Sequence, residues 1–125
     1  MIAFIDTSIF IDVLRGRRSS LEFLENIRRA GQLHSSEVVR AEILIGMRPD
    51  ETSATERLFQ AVTWHEVDET VSRIAGEMGR IWKRSHSHIE TADLLIAASS
   101  VRLDAQLFTR NIRHFPMFDG LSIPY

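Results

Sequence analysis

The sequence predicts a single α/β domain spanning residues 1–125, built as three layers with helices on both faces of a short, mostly parallel central sheet. Three observations carry this expectation. Short apolar runs alternate along the chain with stretches whose apolar residues recur at helical spacing, the pattern of strands joined by helical crossovers. The first run, IAFI at 2–5, is apolar throughout, as a strand buried on both faces requires. A chain of 125 residues can also bury one core without disulfides, and this one has no cysteine.

Each element has its own signal. After IAFI the period switches: Ile9, Phe10, Val13 and Leu14 recur at helical spacing up to Gly16, which suits a helix end. Ser19 or Ser20 is placed to cap a second helix carrying Leu21, Phe23, Leu24 and Ile27 and ending at Gly31. A brief extended piece around Leu33 gives way at Ser35 or Ser36 to a helix whose buried stripe is Val38, Val39, Ile43 and Leu44. Pro49 and Asp50 break that helix, and Thr55 to Ala61 add a further helical turn or two. VTWHEV at 62–67 has the β-branched and aromatic content of a third strand. Asp68 then precedes a longer helix carrying Val71, Ile74, Ala75, Met78, Ile81 and Trp82. Thr91 is expected to cap a buried helix, ADLLIAASSVRL, which is followed by a fourth strand, QLFT, a turn at NIRHF and a last extended segment, LSIP.

Composition narrows the function. Without cysteine there is no thiolate nucleophile or thiolate metal site, so any metal must be held by oxygen or histidine nitrogen. The apolar runs are too short to span a bilayer and the start lacks a signal-peptide pattern, so the expectation is a cytoplasmic protein without a membrane partner. The net charge of −2 does not favour nucleic acid, yet basic residues cluster at Arg15, Arg17 and Arg18, at Arg28 and Arg29, from Lys83 to His88 and from Arg110 to His114. Those clusters read either as solvated helix ends or as one surface that meets phosphates.

In an open parallel sheet, ligands gather beyond the carboxyl ends of the strands. Asp6 stands at such an end, and Asn111 follows another. Glu42 falls in the second turn of the helix after the second strand, and Asp93 in the first turn of the helix before the fourth. Each has a plain alternative: Asp6 an N-cap, Asp93 a complement to the helix dipole, Glu42 a helix-surface glutamate. Together they form a set of carboxylates that would repel one another unless a cation compensated them, and Mg²⁺ prefers oxygen ligands. Such an ion acidifies a bound water and offsets charge on a phosphodiester.

IDTSIFIDVLRG, SSEVVRAEILIGMR, TADLLIAASS and LFTRNIRHF, in this order and spacing, resemble the PIN-domain ribonucleases of the VapC type, the toxins of bacterial toxin–antitoxin pairs. The resemblance runs through nearly the whole chain. It implies a PIN-like fold and a Mg²⁺- or Mn²⁺-dependent endoribonuclease that hydrolyses RNA phosphodiesters with a metal-bound water. The family's acidic positions fall on Asp6, Glu42 and Asp93, which would hold the metal. The fourth falls on Asn111, where many members have aspartate; its amide adds no negative charge. The resemblance also implies a homodimer and a cognate antitoxin whose carboxy-terminal segment lies in a groove, for which Phe10, Leu14, Phe23 and Leu24 are the candidates.

Other residues have less to offer. Thr7, Ser8 and Thr109 flank the site, where their hydroxyls either orient carboxylates and water or serve capping and strand propensity. Asp104 is expected in a solvent-facing loop. His86 and His88 lack the partners of a zinc site. Trp64 and Trp82 sit in apolar patterns that suit core packing, with base stacking the alternative. The rival class is a noncatalytic PIN-like or flavodoxin-like module that binds RNA or a protein partner. Against the flavodoxin-like form stands the lack of an acidic pair beside the first strand.

Overall fold

The computed structural model describes residues 1–125. In chain order the elements are β1 (Ala3–Ile5), α1 (Thr7–Leu14), α2 (Arg18–Ala30), β2 (Leu33–Ser36), α3 (Glu37–Gly46), a 3₁₀ turn (Pro49–Glu51), α4 (Thr52–Gln60), β3 (Val62–His65), α5 (Glu69–Trp82), α6 (Thr91–Arg102), β4 (Gln106–Phe108) and a second 3₁₀ turn (Ile112–His114). The four strands form one sheet in the order β3-β2-β1-β4, and every pairing is parallel. Right-handed crossovers, the rule for parallel strands, put the helices linking β1 to β2 and β2 to β3 on one face. The return from β3 to β4 puts α5 and α6, which pack on each other, on the opposite face.

The core follows from this layering. Phe4 and Ile5 of the inner strand β1 are fully buried, with Leu33, Val62 and Leu107 of the other strands beside them. Ile9, Phe10, Val39 and Ile43 close the core from one face, and Ile96 and Ala97 from the other. A smaller cluster, Val71, Ala75, Ile89, Leu94 and Ala98, seals α5 against α6.

Helix ends depart from the sequence reading in instructive ways. Asp68 caps α5 as its position suggests, accepting the Val71 N–H at 3.0 Å, and Ser36 caps α3 by accepting from Val38. By contrast α2 begins at Arg18, ahead of the expected serine cap, and Ser20 is buried with its hydroxyl donating to the Arg17 carbonyl at 2.6 Å. Glu90, not Thr91, takes the N-cap of α6, and its backbone N–H donates to Asp93 Oδ2 at 2.9 Å. Leu44 lies outside the buried stripe of α3, 42% exposed beside an almost fully exposed Ile45. The third strand stops at His65, short of Val67, and residues 121–125 join no strand. Gly16 ends the first helical region at φ +78, a left-handed conformation that glycine adopts without a Cβ clash. Asp104 takes φ +51 in the tight turn before β4, exposed as expected; aspartate is among the few other residues that tolerate it.

Candidate active site

Parallel pairing of β1 with β4 places the residues just beyond them side by side. Asp6 directly follows β1, and its backbone N–H donates to the Phe108 carbonyl at 3.0 Å. Thr109, directly following β4, donates from Oγ1 to Asp6 Oδ2 at 2.7 Å; the Ser8 hydroxyl donates to the same oxygen at 3.1 Å. Asp6 sits at the N-cap of α1 but makes no side-chain cap bond. On α3, Glu42 Oε1 accepts the Thr7 hydroxyl at 2.6 Å. In the first turn of α6, Asp93 Oδ2 accepts the Glu90 N–H and lies 3.0 Å from His114 Nδ1. Asn111 follows Thr109 closely enough for its backbone N–H to donate to Thr109 Oγ1 at 2.9 Å.

Asp6, Glu42, Asp93 and Asn111 line one cavity of about 490 Å³, with Ile11 the single apolar residue in its wall. Burial is the main cause that pushes the Asp6 carboxyl above the usual carboxylate range, against the lowering effect of Thr109, the Thr7 backbone and Ser8. Burial likewise raises Glu42, and repulsion from Asp6, Asp93 and Glu90 adds to it. Asp12 and Arg110 also line the cavity; Arg110 Nη1 donates to Asp12 Oδ2 at 3.0 Å while its buried Nε finds no partner, and Asp12 Oδ2 further accepts the Tyr125 hydroxyl at 2.6 Å. The Arg110 guanidinium thus turns to Asp12, no lysine or arginine pairs with Asp6, Glu42 or Asp93, and the one basic ring beside them is His114 at Asp93.

This donor set fits a hard divalent cation. It is oxygen-only and electrostatically frustrated. It is also open: no three acidic or histidine side chains are drawn together into a ready-made ligand group. Each carboxylate accepts hydrogen bonds of its own. Openness suits Mg²⁺, which keeps several waters and takes one or two carboxylates directly.

The PIN domain family model matches residues 3–120. The chain is 44% identical over 122 residues to ribonuclease VapC19 of Mycobacterium tuberculosis, covering 97% of this chain and 98% of that one. The chain belongs to the PIN-domain family, in its VapC branch. Solved structures share its fold. A toxin–antitoxin complex from Klebsiella pneumoniae aligns at a TM-score of 0.82 with 23% identity, over 98% of both chains. VapBC2 from Rickettsia felis bound to a DNA fragment from its promoter aligns at 0.83 with 22% identity, over 98% of this chain and 97% of that one.

Around this PIN-domain site several expectations change. Phe10 and Leu24, expected at a partner groove, are buried in the core, because α1 packs α2 and α3 over them; Leu14 and Phe23 keep partial exposure. The basic residues at 15–29 are engaged within the chain: Arg15 grips Glu51 through both carboxylate oxygens, Arg17 meets Asp12, Arg18 meets Glu22, and Arg28 and Arg29 share Glu25. Trp64 packs on Phe10 and Phe59 and donates from Nε1 to the Phe59 carbonyl at 3.0 Å, a core role. Sequence reasoning missed three neighbours of the site, Asp12, Arg110 and His114. A signal existed for Asp12, which lies four residues beyond Ser8 and so on the same face of α1; nothing local pointed to His114 as the partner of Asp93.

Proposed function

We propose that this chain is a divalent-metal-dependent endoribonuclease acting as the toxin of a toxin–antitoxin pair in the cytoplasm, with residues 1–125 working as one PIN domain. The observation that carries the reading is the convergence of Asp6, Glu42 and Asp93, from three separate elements, on one open cavity where two of them are pushed toward protonation. Identity to a named ribonuclease over nearly the full length supports the substrate class.

In this reading Asp6, Glu42 and Asp93 hold Mg²⁺ or Mn²⁺, and Asn111 completes the pocket. When bound, the ion supplies a more acidic water and offsets negative charge on the phosphate. The chain does the rest. Thr109 and Ser8 fix the Asp6 carboxylate, Thr7 fixes Glu42, and the Glu90 N–H with His114 fixes Asp93, so that each carboxylate presents a defined oxygen. RNA enters at the open mouth with a phosphate toward the carboxylates.

The partners are a cognate antitoxin and a second copy of the chain, in keeping with the toxin–antitoxin complex among the structures of the same fold. Leu44 and Ile45, exposed within one turn of Glu42, offer the apolar surface that the buried Phe10 and Leu24 do not. A noncatalytic module that binds RNA or a protein partner is the second reading, favoured by one observation: Asn111 stands where an additional carboxylate would strengthen the site. Cleavage of a transcript pool by purified protein separates the two. Cleavage that needs Mg²⁺ or Mn²⁺ and stops in excess EDTA supports the nuclease; binding without cleavage under any divalent ion supports the module.

A further inference from the structure

Two of the basic stretches, 83–88 and 110–114, meet in space although the sequence separates them. His88 Nε2 lies 2.8 Å from the Arg113 carbonyl, and the His88 ring stands edge-on to His114 at 5.4 Å. The contact extends into a row of rings. From the end of α5, Trp82 meets His86 at 5.6 Å, His86 meets His88 at 5.9 Å, and His88 meets His114, which touches Asp93 in the acidic cavity. The rings are inclined to one another by 66°, 59° and 66°, so none is stacked flat on its neighbour.

Cations flank this row. Lys83, Arg84 and Arg113 are exposed, and none of them belongs to an ion pair. The arginines at 15–18 and 28–29, by contrast, are all paired within the chain. A cavity of about 460 Å³, lined by His88, Arg113 and His114, shares Arg110 and Asn111 with the acidic cavity, so the two adjoin across those residues.

We propose that the rings of Trp82, His86, His88 and His114, with the unpaired Lys83, Arg84 and Arg113 beside them, form a track for single-stranded RNA next to the scissile phosphate. Bases lie against the rings while phosphates meet the cations, the combination by which proteins hold single strands. A stacking track tolerates any base, because every base has a π-face, whereas unpaired cations answer the phosphate charge. Double-stranded RNA does not fit, since its bases are already stacked. The proposal rests on the ribonuclease reading and gives that reading a direction: the strand leaves the acidic cavity past Asn111 and runs toward the end of α5.

The test uses the full chain carrying Glu42→Gln, expected to block cleavage, with Mg²⁺ and a fluorescein-labelled single-stranded RNA of mixed sequence, longer than the site sizes of roughly 4–16 nucleotides typical of such grooves. Anisotropy gives Kd across a series of KCl concentrations. Adding Arg113→Ala should weaken binding several-fold and lower the salt slope by about 0.7, the value for one phosphate contact on a single strand. Arg113→Lys should restore the slope, which separates charge from folding. His88→Ala should weaken binding about fivefold through lost stacking. Arg18→Ala and Arg28→Ala, which remove paired arginines, should leave Kd and slope as they were. If Glu42→Gln binds RNA tightly, the wild type cleaves, and Arg113→Ala and His88→Ala change neither Kd nor slope, the track is wrong and the ribonuclease stands. The track is also wrong if these variants lose co-expressed antitoxin while RNA affinity holds, because the surface then belongs to a protein partner. No RNA binding by Glu42→Gln together with no cleavage by the wild type would overturn both readings.

Discussion

Asp6 and Asp68 occupy the same kind of place, the N-cap of a helix that follows a parallel strand, and they have opposite chemistry. Asp68 is exposed, accepts the Val71 N–H and pairs with Arg102, and these contacts, the Val71 bond first, pull its carboxyl below the usual range. Asp6 is buried, caps nothing, and is pushed up by burial although Thr109 and Ser8 donate to it. One aspartate is placed to stabilise its helix. The other is held, at a cost to the fold, where a cation would relieve it. Sequence position alone does not distinguish them; burial and a partner 103 residues away do.

The sharpest way to break this contrast is activity. Asp6→Asn should reduce metal-dependent RNA cleavage by roughly a thousandfold or more, as should Glu42→Gln and Asp93→Asn, because each removes a charge that the ion requires. Asp68→Asn should cleave at the wild-type rate. Initial rates on one transcript settle the matter; an active, well-folded Asp93→Asn would remove that residue from the catalytic set. A smaller effect is expected at Thr109, whose hydroxyl aims Asp6: Thr109→Val should weaken the apparent Mg²⁺ affinity by about tenfold, read from a metal titration of the rate.

Stability should show the contrast with reversed sign. In EDTA, Asp6→Asn should melt higher than wild type, by the equivalent of about 1 kcal/mol, since it removes a buried, repelled charge. Several millimolar Mg²⁺ should narrow or reverse the order, because an ion that binds only the folded state stabilises wild type. Asp68→Asn should melt slightly below wild type in EDTA and in Mg²⁺ alike, since Asn keeps the cap but loses the exposed pairing with Arg102. Equal melting temperatures for wild type and Asp6→Asn in EDTA, together with equal Mg²⁺ shifts, would reduce Asp6 to a cap.

The smallest expected effect is in pH dependence. For Asp6 and Glu42 the folded-state pKa is raised, so their contribution is fully present below the ordinary carboxylate pKa and is lost as pH rises through the folded values. For Asp68 the folded-state pKa is lowered, so its contribution is present above the ordinary value and lost as pH falls through the folded one. Urea unfolding in EDTA should therefore show the advantage of Asp6→Asn over wild type shrinking on acidification. A constant difference between the two proteins would deny that Asp6 is perturbed.

Much of the site was legible because the strand-end rule depends only on the order of elements. Asp6, Glu42, Asp93 and Asn111 follow from locating strands and helix starts, and all four line one cavity. What holds them was legible in part: the sequence places Thr7, Ser8 and Thr109 beside the site, but not which carboxylate each one holds. Thr109 as the partner of Asp6 requires knowing that β4 lies beside β1, a choice among strand orders that local patterns do not make. The pairing of the clusters at 15–18 and 28–29 within the chain was hidden for a related reason. Arg18 with Glu22 and Arg28 with Glu25 are readable pairs at helical spacing, but Arg15 finds Glu51 across 36 positions. Phe10 and Leu24 show the same limit in packing: amphipathic spacing says that a helix has an apolar face, not which of its residues the next helix will cover.

The hydrogen bond from Thr109 to Asp6 also sets a timetable. Synthesis proceeds from the amino terminus at about 5–20 residues per second, so Asp6 is made 103 residues ahead of its partner, which arrives with β4. Until β4 docks beside β1, the Asp6 carboxylate lacks the hydroxyl that orients it and Asn111 has no place in the cavity wall. A nascent chain on the ribosome, surrounded by RNA, thus carries an unfinished pocket.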